Sequence, residues 1–221
     1  MIGTSLQDIP VRAMQIAVLT FDAFNELDSF VAAALLNRLS SKGWKALITG
    51  ATERIASKNG VVVDAERPLE FTAEADAVIF GSGMKTDEIA LDPKVLSRIK
   101  VDPTRQLLVG QCSGALIMAA LGLFSGEPVC TDVMTQPLVD RLGFELAELP
   151  FYAKGNVATA GGCLGSQYVA SWIIARKLGI EQASSVLRGA APIGQQDEYV
   201  QRMVSTIGPF LGSTEALRAV A

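Results

Sequence analysis

Apolar positions along the chain fall mostly in short continuous runs, each closed by glycine, proline or a polar turn, and less often at helical spacing. Runs of the first kind predict strands buried on both faces, while longer stretches of good helix formers predict helices. Met14 to Thr20 predicts a first strand, followed by FDAFNELDSF and a helix through VAAALLNRLSSKG that Gly43 ends. WKALITG (Trp44 to Gly50) is the next strand, and ERIASKNGVVVDAE has the form of a hairpin turning at Asn59-Gly60. ADAVIF is a buried strand running into GSGMKTDEI, after which Asp92-Pro93 opens a helix with proline in its first turn. LLVGQCSGALIMAALGLF predicts a strand, a corner and a helix closed by Gly122. EPVCTD is read as a short strand, MTQPLVDRLG as a helix closed by Gly143, NVATAGG as a strand and CLGSQYVASWIIARKLG as a long helix. From Gly208 the pattern is less regular, and residues 208–221 read as an extension or a contact surface. Strands alternating with helices predict an α/β fold, a mostly parallel sheet covered by helices on both faces, in one domain over residues 1–221.

In such a sheet functional residues gather beyond the carboxyl ends of the strands. Cys112 stands at one such end, inside Gly110-Gln111-Cys112-Ser113-Gly114. This G-x-C-x-G has the form of a nucleophile elbow with sulfur in place of oxygen. Its glycines let two backbones approach, and a thiol there sits at a helix start, where the dipole and free N–H groups favour thiolate. The plainer reading is a small core residue at a strand–helix joint. GSGMKT (Gly81 to Thr86) lacks the third glycine of a dinucleotide fingerprint and reads as a tight turn, and no phosphate-loop motif occurs.

The 221 residues, 49% hydrophobic and 19% charged, are enough to bury a sizeable core. A net charge of −4 without a basic run gives no electrostatic case for nucleic acid. The opening MIGTSLQDIPVR has no apolar core, so no signal peptide is expected, and no apolar run reaches the roughly 18 residues of a membrane span. The expectation is a cytoplasmic protein that meets neither membrane nor nucleic acid. Cys112, Cys130 and Cys163 are odd in number and lack C-x-x-C spacing, so neither a disulfide framework nor a zinc site is expected, and no cofactor motif is present. The chain has no histidine, which removes every triad that carries its proton on imidazole. Catalysis here has to run on carboxylates, the thiol, backbone amides or water.

Four segments, in this order, resemble the ThiJ/PfpI superfamily: FNELDSF after the first strand, DAVIFGSG, the GQCSGALIMAALGLFSG elbow and NVATAGGCLGSQYVASWIIARKLG. Within it the chain is most similar to the isocyanide hydratase-like branch. The resemblance implies a flavodoxin-like α/β sandwich related to class I glutamine amidotransferases, and a homodimer. It implies Cys112 as the reactive cysteine and Asp28 as the acid facing its sulfur, with Glu26 as the rival. It also implies an anion pocket from the N–H groups of Gly83 and Ser113, with the Ser113 hydroxyl positioning water. Gly81-Ser82-Gly83 departs from the family's Pro-Gly-Gly, and Asp132 stands where many members carry histidine. An ionised Asp132 near the sulfur would raise its pKa. Asp28 against a thiolate would have to hold its proton and donate it, which would lower the thiol's pKa. Cys130 and Cys163, away from any elbow, are read as packing residues.

Two functions follow as expectations. One is a hydratase-like enzyme that adds water to a small electrophile, an isocyanide giving an N-formamide or a related small carbonyl, with no cofactor and no metal. The other is a redox-sensing or small-molecule-binding protein that uses the same cysteine without turnover.

Overall fold

The continuous apolar runs are explained by burial on two sides. In the computed structural model, which describes residues 13–212, strand β1 (Met14–Leu19) sends Ile16 and Val18 to one face of the sheet and Ala17 and Leu19 to the other, all fully buried. β6 (Ala77–Phe80) and β7 (Leu107–Gln111) divide their side chains in the same way. Helices α1 (Glu26–Asn37), α6 (Ser166–Leu178), α7 (Ile180–Arg188) and α8 (Gln196–Ile207) cover the first face through Leu36, Trp172, Leu187 and Met203. The second face is covered by Ile117 and Met118 of α4 (Gly114–Ala120) and by Leu69 and Phe71.

β2 (Trp44–Gly50), β5 (Arg67–Pro68), β8 (Phe151–Lys154) and β9 (Val157–Ala160) complete a seven-stranded sheet in the order β5-β2-β1-β6-β7-β9-β8. Every neighbouring pair is parallel except β8 with β9. This is the mostly parallel, two-faced α/β architecture that the pattern predicts. Chain order reverses on either side of β1, so a topological switch point lies between β1 and β6, with β7 and β9 ending beside it.

The hairpin forms from β3 (Arg54–Ala56) and β4 (Val62–Asp64), with Gly60 at φ +87° in its turn. Asp92 caps α3 (Pro93–Leu96) as expected, accepting from the Lys94 N–H at 2.8 Å. Other expectations differ. α1 stops at Asn37, and a short 3₁₀ turn, Ser40–Lys42, reaches Gly43. GSGMKTDEI contains a helix, α2 (Thr86–Ala90). EPVCTD makes no strand: Val129 forms one isolated bridge with Leu146, and the Cys130 N–H donates to the Thr159 hydroxyl at 2.9 Å. α5 (Gln136–Arg141) follows, ending before Gly143 at φ +82°. The tail begins as a 3₁₀ turn, Gly208–Phe210, whose Phe210 ring packs against Phe151 and Tyr152 of β8; residues 213–221 of the expected extension lie outside the described residues.

The elbow glycines are sterically required. A Cβ on Gly114 would lie 2.0 Å from the Phe80 carbonyl oxygen, and one on Gly110 would lie 2.7 Å from the Met118 sulfur. Gly114→Ala should therefore cost at least the ~1–3 kcal/mol of an overpacked core, a fall of several degrees in Tm. Gly208→Ala, at φ −53° with nothing within 4 Å of its Cβ, should melt like the parent. Thermal melts check both, and an unshifted Gly114→Ala would contradict the close approach of α4 to the end of β6.

Candidate active site

At the end of β7 the backbone turns through Cys112 at φ +49°, a left-handed conformation rare for a side-chain-bearing residue and worth about 1–3 kcal/mol of strain. Packing and hydrogen bonds hold it there. The Cys112 N–H donates to the Ala160 carbonyl at 2.9 Å, and its own carbonyl accepts from the Thr131 hydroxyl at 2.9 Å.

The loop between β1 and α1 is laced into its neighbours. The Ala23 N–H donates to the Ala56 carbonyl at 2.7 Å, the Met84 N–H to the Ala23 carbonyl at 2.9 Å, and the Asn25 N–H to the Ser82 carbonyl at 2.9 Å. Asn25 then caps α1, its side-chain oxygen accepting from the Leu27 N–H at 3.3 Å. These bonds fix the first turn of α1 over the elbow and carry Asp28 inside.

Asp28 is fully buried. Its Oδ2 accepts from the Ser82 hydroxyl, while Oδ1 has no hydrogen-bond partner. One Asp28 oxygen, the Cys112 sulfur and the Cys163 sulfur all lie within 4.8 Å of one another. Cys163 is therefore not the packing residue its sequence position suggested. It begins the turn after β9, and its sulfur accepts from the Asn25 Nδ2 at 2.9 Å. Gln111 clamps the same corner, with Nε2 donating to the Gly162 carbonyl at 3.0 Å and to the Cys112 sulfur at 3.5 Å.

Burial pushes the Asp28 carboxyl above the usual carboxylate range; the Ser82 hydroxyl offsets part of this, and the charge of Asp132 adds to it. Burial also pushes the Cys112 thiol up, and the negative charge of Asp28 pushes it further. That corrects the expectation of a depressed thiol pKa. Two acids share one buried corner, so the last proton is hard to remove, and this outweighs the helix start.

The remaining predicted residues divide. Glu26 points away from the sulfur, accepting from Ser57 Oγ at 2.5 Å and Asn59 Nδ2 at 2.9 Å in the hairpin turn; these bonds, Ser57 first, hold its carboxyl below the usual range. Ser113 is buried beside the cysteine, and its hydroxyl donates to Thr86 Oγ1 at 3.0 Å. The Gly83 N–H is already engaged, donating to the same Thr86 oxygen at 2.8 Å, so it does not offer the expected anion-pocket donor. Asp132 accepts from the Met134 and Thr135 N–H groups and from the Thr135 hydroxyl, closing a turn at the rim. Cys130 is wholly buried, and burial pushes its thiol up to about 12.

A cleft of about 380 Å³ opens on Cys112, lined among others by Ser82, Met84, Ser113, Asp132 and Cys163. Four contributors were not read from the sequence: Asn25, Ser82, Gln111 and Cys163. None carries a local signature of a site, and only its fold neighbours give each a role.

No family model matches the chain, and no curated protein matches it by sequence. Solved structures do. A THiJ/PfpI family protein from Pseudomonas syringae is 17% identical with a TM-score of 0.73, over 98% of this chain and 94% of that one. Schizosaccharomyces pombe DJ-1 is 13% identical with a TM-score of 0.69, over 80% and 99%. Drosophila melanogaster DJ-1beta is 19% identical with a TM-score of 0.67, over 81% and 98%. The chain thus has the α/β fold of the DJ-1 and ThiJ/PfpI structures. It carries a buried acid and two thiols at the carboxyl ends of that sheet.

Because the folded pKa of Asp28 is raised, stability is fullest below its unfolded value, about 3.9, and declines as pH rises through the folded one. Asp28→Asn should therefore melt higher than the parent at neutral pH, with the gain vanishing toward pH ~4. Removing the carboxylate should also lower the Cys112 pKa, so iodoacetamide should label Cys112 faster in the variant. A lower Tm together with unchanged labelling would contradict the coupled pair.

Proposed function

We propose that the chain is a ThiJ/PfpI-superfamily enzyme of the isocyanide hydratase-like kind, using Cys112 and Asp28 to add water to a small electrophile. The observation that carries this reading is the pairing of a left-handed elbow cysteine with a buried carboxyl, whose affinity for a proton burial raises, in a chain without histidine. Proton transfer has to be local, and Asp28 is the group in reach.

Cys112 rests as a thiol. As its sulfur attacks the terminal isocyanide carbon, Asp28 takes the thiol proton and passes it to that carbon, giving a thioimidate. Water then adds across the carbon–nitrogen double bond, its oxygen going to carbon and a proton to nitrogen through Asp28. The carbon–sulfur bond breaks, the hydroxyl proton returns to sulfur, and the N-formamide leaves. The Ser113 hydroxyl, which lines the cleft, is the group to hold the water. Glyoxals and other small carbonyls fit the same nucleophile as a second substrate class.

The rival reading is oxidation sensing, and the second sulfur beside Cys112 favours it. Peroxides react with thiolate, however, and a thiol pushed up by burial and by Asp28 is a poor target at neutral pH. Turnover is therefore the better reading. It includes a homodimer paired over the apolar rim of the cleft, where Met84 and Met134 are 73% and 86% exposed. Sedimentation at micromolar concentration should give the dimer, and a monomer alone would contradict it.

A panel of isocyanides and α-oxoaldehydes tests the chemistry. Cys112→Ser should abolish turnover, Asp28→Asn should lower it by about 10²-fold or more, and Glu26→Gln should stay near the parent. Full activity in Cys112→Ser, or in Asp28→Asn, would overturn the mechanism.

A further inference from the structure

Asp28, Cys112 and Cys163 follow β1, β7 and β9, and the fold brings one oxygen and two sulfurs within 4.8 Å of one another. All three are acids, and Asp87 and Asp132 add two more along the cleft. The one basic side chain lining this cleft, Lys58, is exposed. Such a cluster lacks a positive charge.

Two further observations point to what would supply it. Asp28 is fully buried, yet its Oδ1 has no hydrogen-bond partner. Each of the three residues is also held by a donor of its own: Ser82 Oγ on Asp28 Oδ2, Gln111 Nε2 on the Cys112 sulfur, and Asn25 Nδ2 on the Cys163 sulfur. Outer partners of this kind orient ligands and favour their charged forms.

We propose that Asp28, Cys112 and Cys163 bind a thiophilic divalent cation, Zn²⁺ being the type, as three protein ligands with a fourth position open to the cleft. Two sulfurs and one carboxylate select a borderline-soft ion over Mg²⁺ or Ca²⁺. With bonds of about 2.3 Å to sulfur and about 2.0–2.2 Å to oxygen, a tetrahedral ion holds its ligand atoms about 3.6–3.8 Å apart, which lies inside the 4.8 Å limit that these three atoms meet. Binding releases both thiol protons to solvent, together with the Asp28 proton where it is held. The ion takes the Cys112 sulfur, so the loaded site and the proposed attack exclude each other.

The test reads metal and not turnover, so it can fail independently of the hydratase reading. The reduced, chelator-stripped full chain is titrated with Co²⁺. The expected result is near-ultraviolet thiolate-to-cobalt charge transfer with the intense visible bands of a four-coordinate ion, displaced by stoichiometric Zn²⁺. Cys163→Ser and Asp28→Asn should each weaken binding by at least about tenfold, and Cys130→Ser should not change it. As a readout on the parent alone, Zn²⁺ should protect Cys112 and Cys163 together from alkylation, and a chelator should restore labelling of both. Absence of charge transfer, undiminished charge transfer at unchanged affinity in Cys163→Ser, or protection of only one of the two cysteines would overturn the site.

Discussion

Two acids share one buried corner: Asp28 and Cys112 face each other where α1 crosses the elbow. Burial penalises both charges and both carry the same sign, so the pair holds a proton to higher pH than either group would alone. The proposed chemistry depends on that retained proton. In the proposed reaction it keeps the sulfur a thiol until a substrate arrives, and it places a proton donor beside the bond that forms.

The surrounding structure exists largely to hold this arrangement. Gly114 lets the elbow helix press against the end of β6, the Ser82 hydroxyl fixes one carboxyl oxygen, and the β1–α1 loop is pinned between the β3–β4 hairpin and the turn after β6. The left-handed Cys112 and the unpartnered Asp28 oxygen are local costs that a less constrained loop would relax. A large core on both sheet faces offsets them.

The fold was legible in the sequence because strands buried on both faces leave continuous apolar runs, and glycines with positive φ mark several helix ends, as at Gly43, Gly122 and Gly143. The cysteine was legible because close backbone approach demands the two glycines beside it. Electrostatics were not. The helix start suggested a thiolate, but burial against a second acid dominates, and burial depends on α1 lying over the elbow. Cys163 was misread for the same kind of reason: its role comes from the parallel pairing of β7 with β9, a long-range contact without a local signature. Gly83 looked like a free donor until Thr86, at the start of an unanticipated helix, accepted its N–H.

The retained proton can be observed on Asp28 itself. A ¹³C-detected NMR titration of the Asp28 side-chain carboxyl, assigned by its loss in Asp28→Asn, should give a midpoint clearly above the model-peptide value of about 3.9. A midpoint at or below that value would mean that Asp28 is an ordinary ionised carboxylate and that the buried acid pair does not hold its proton.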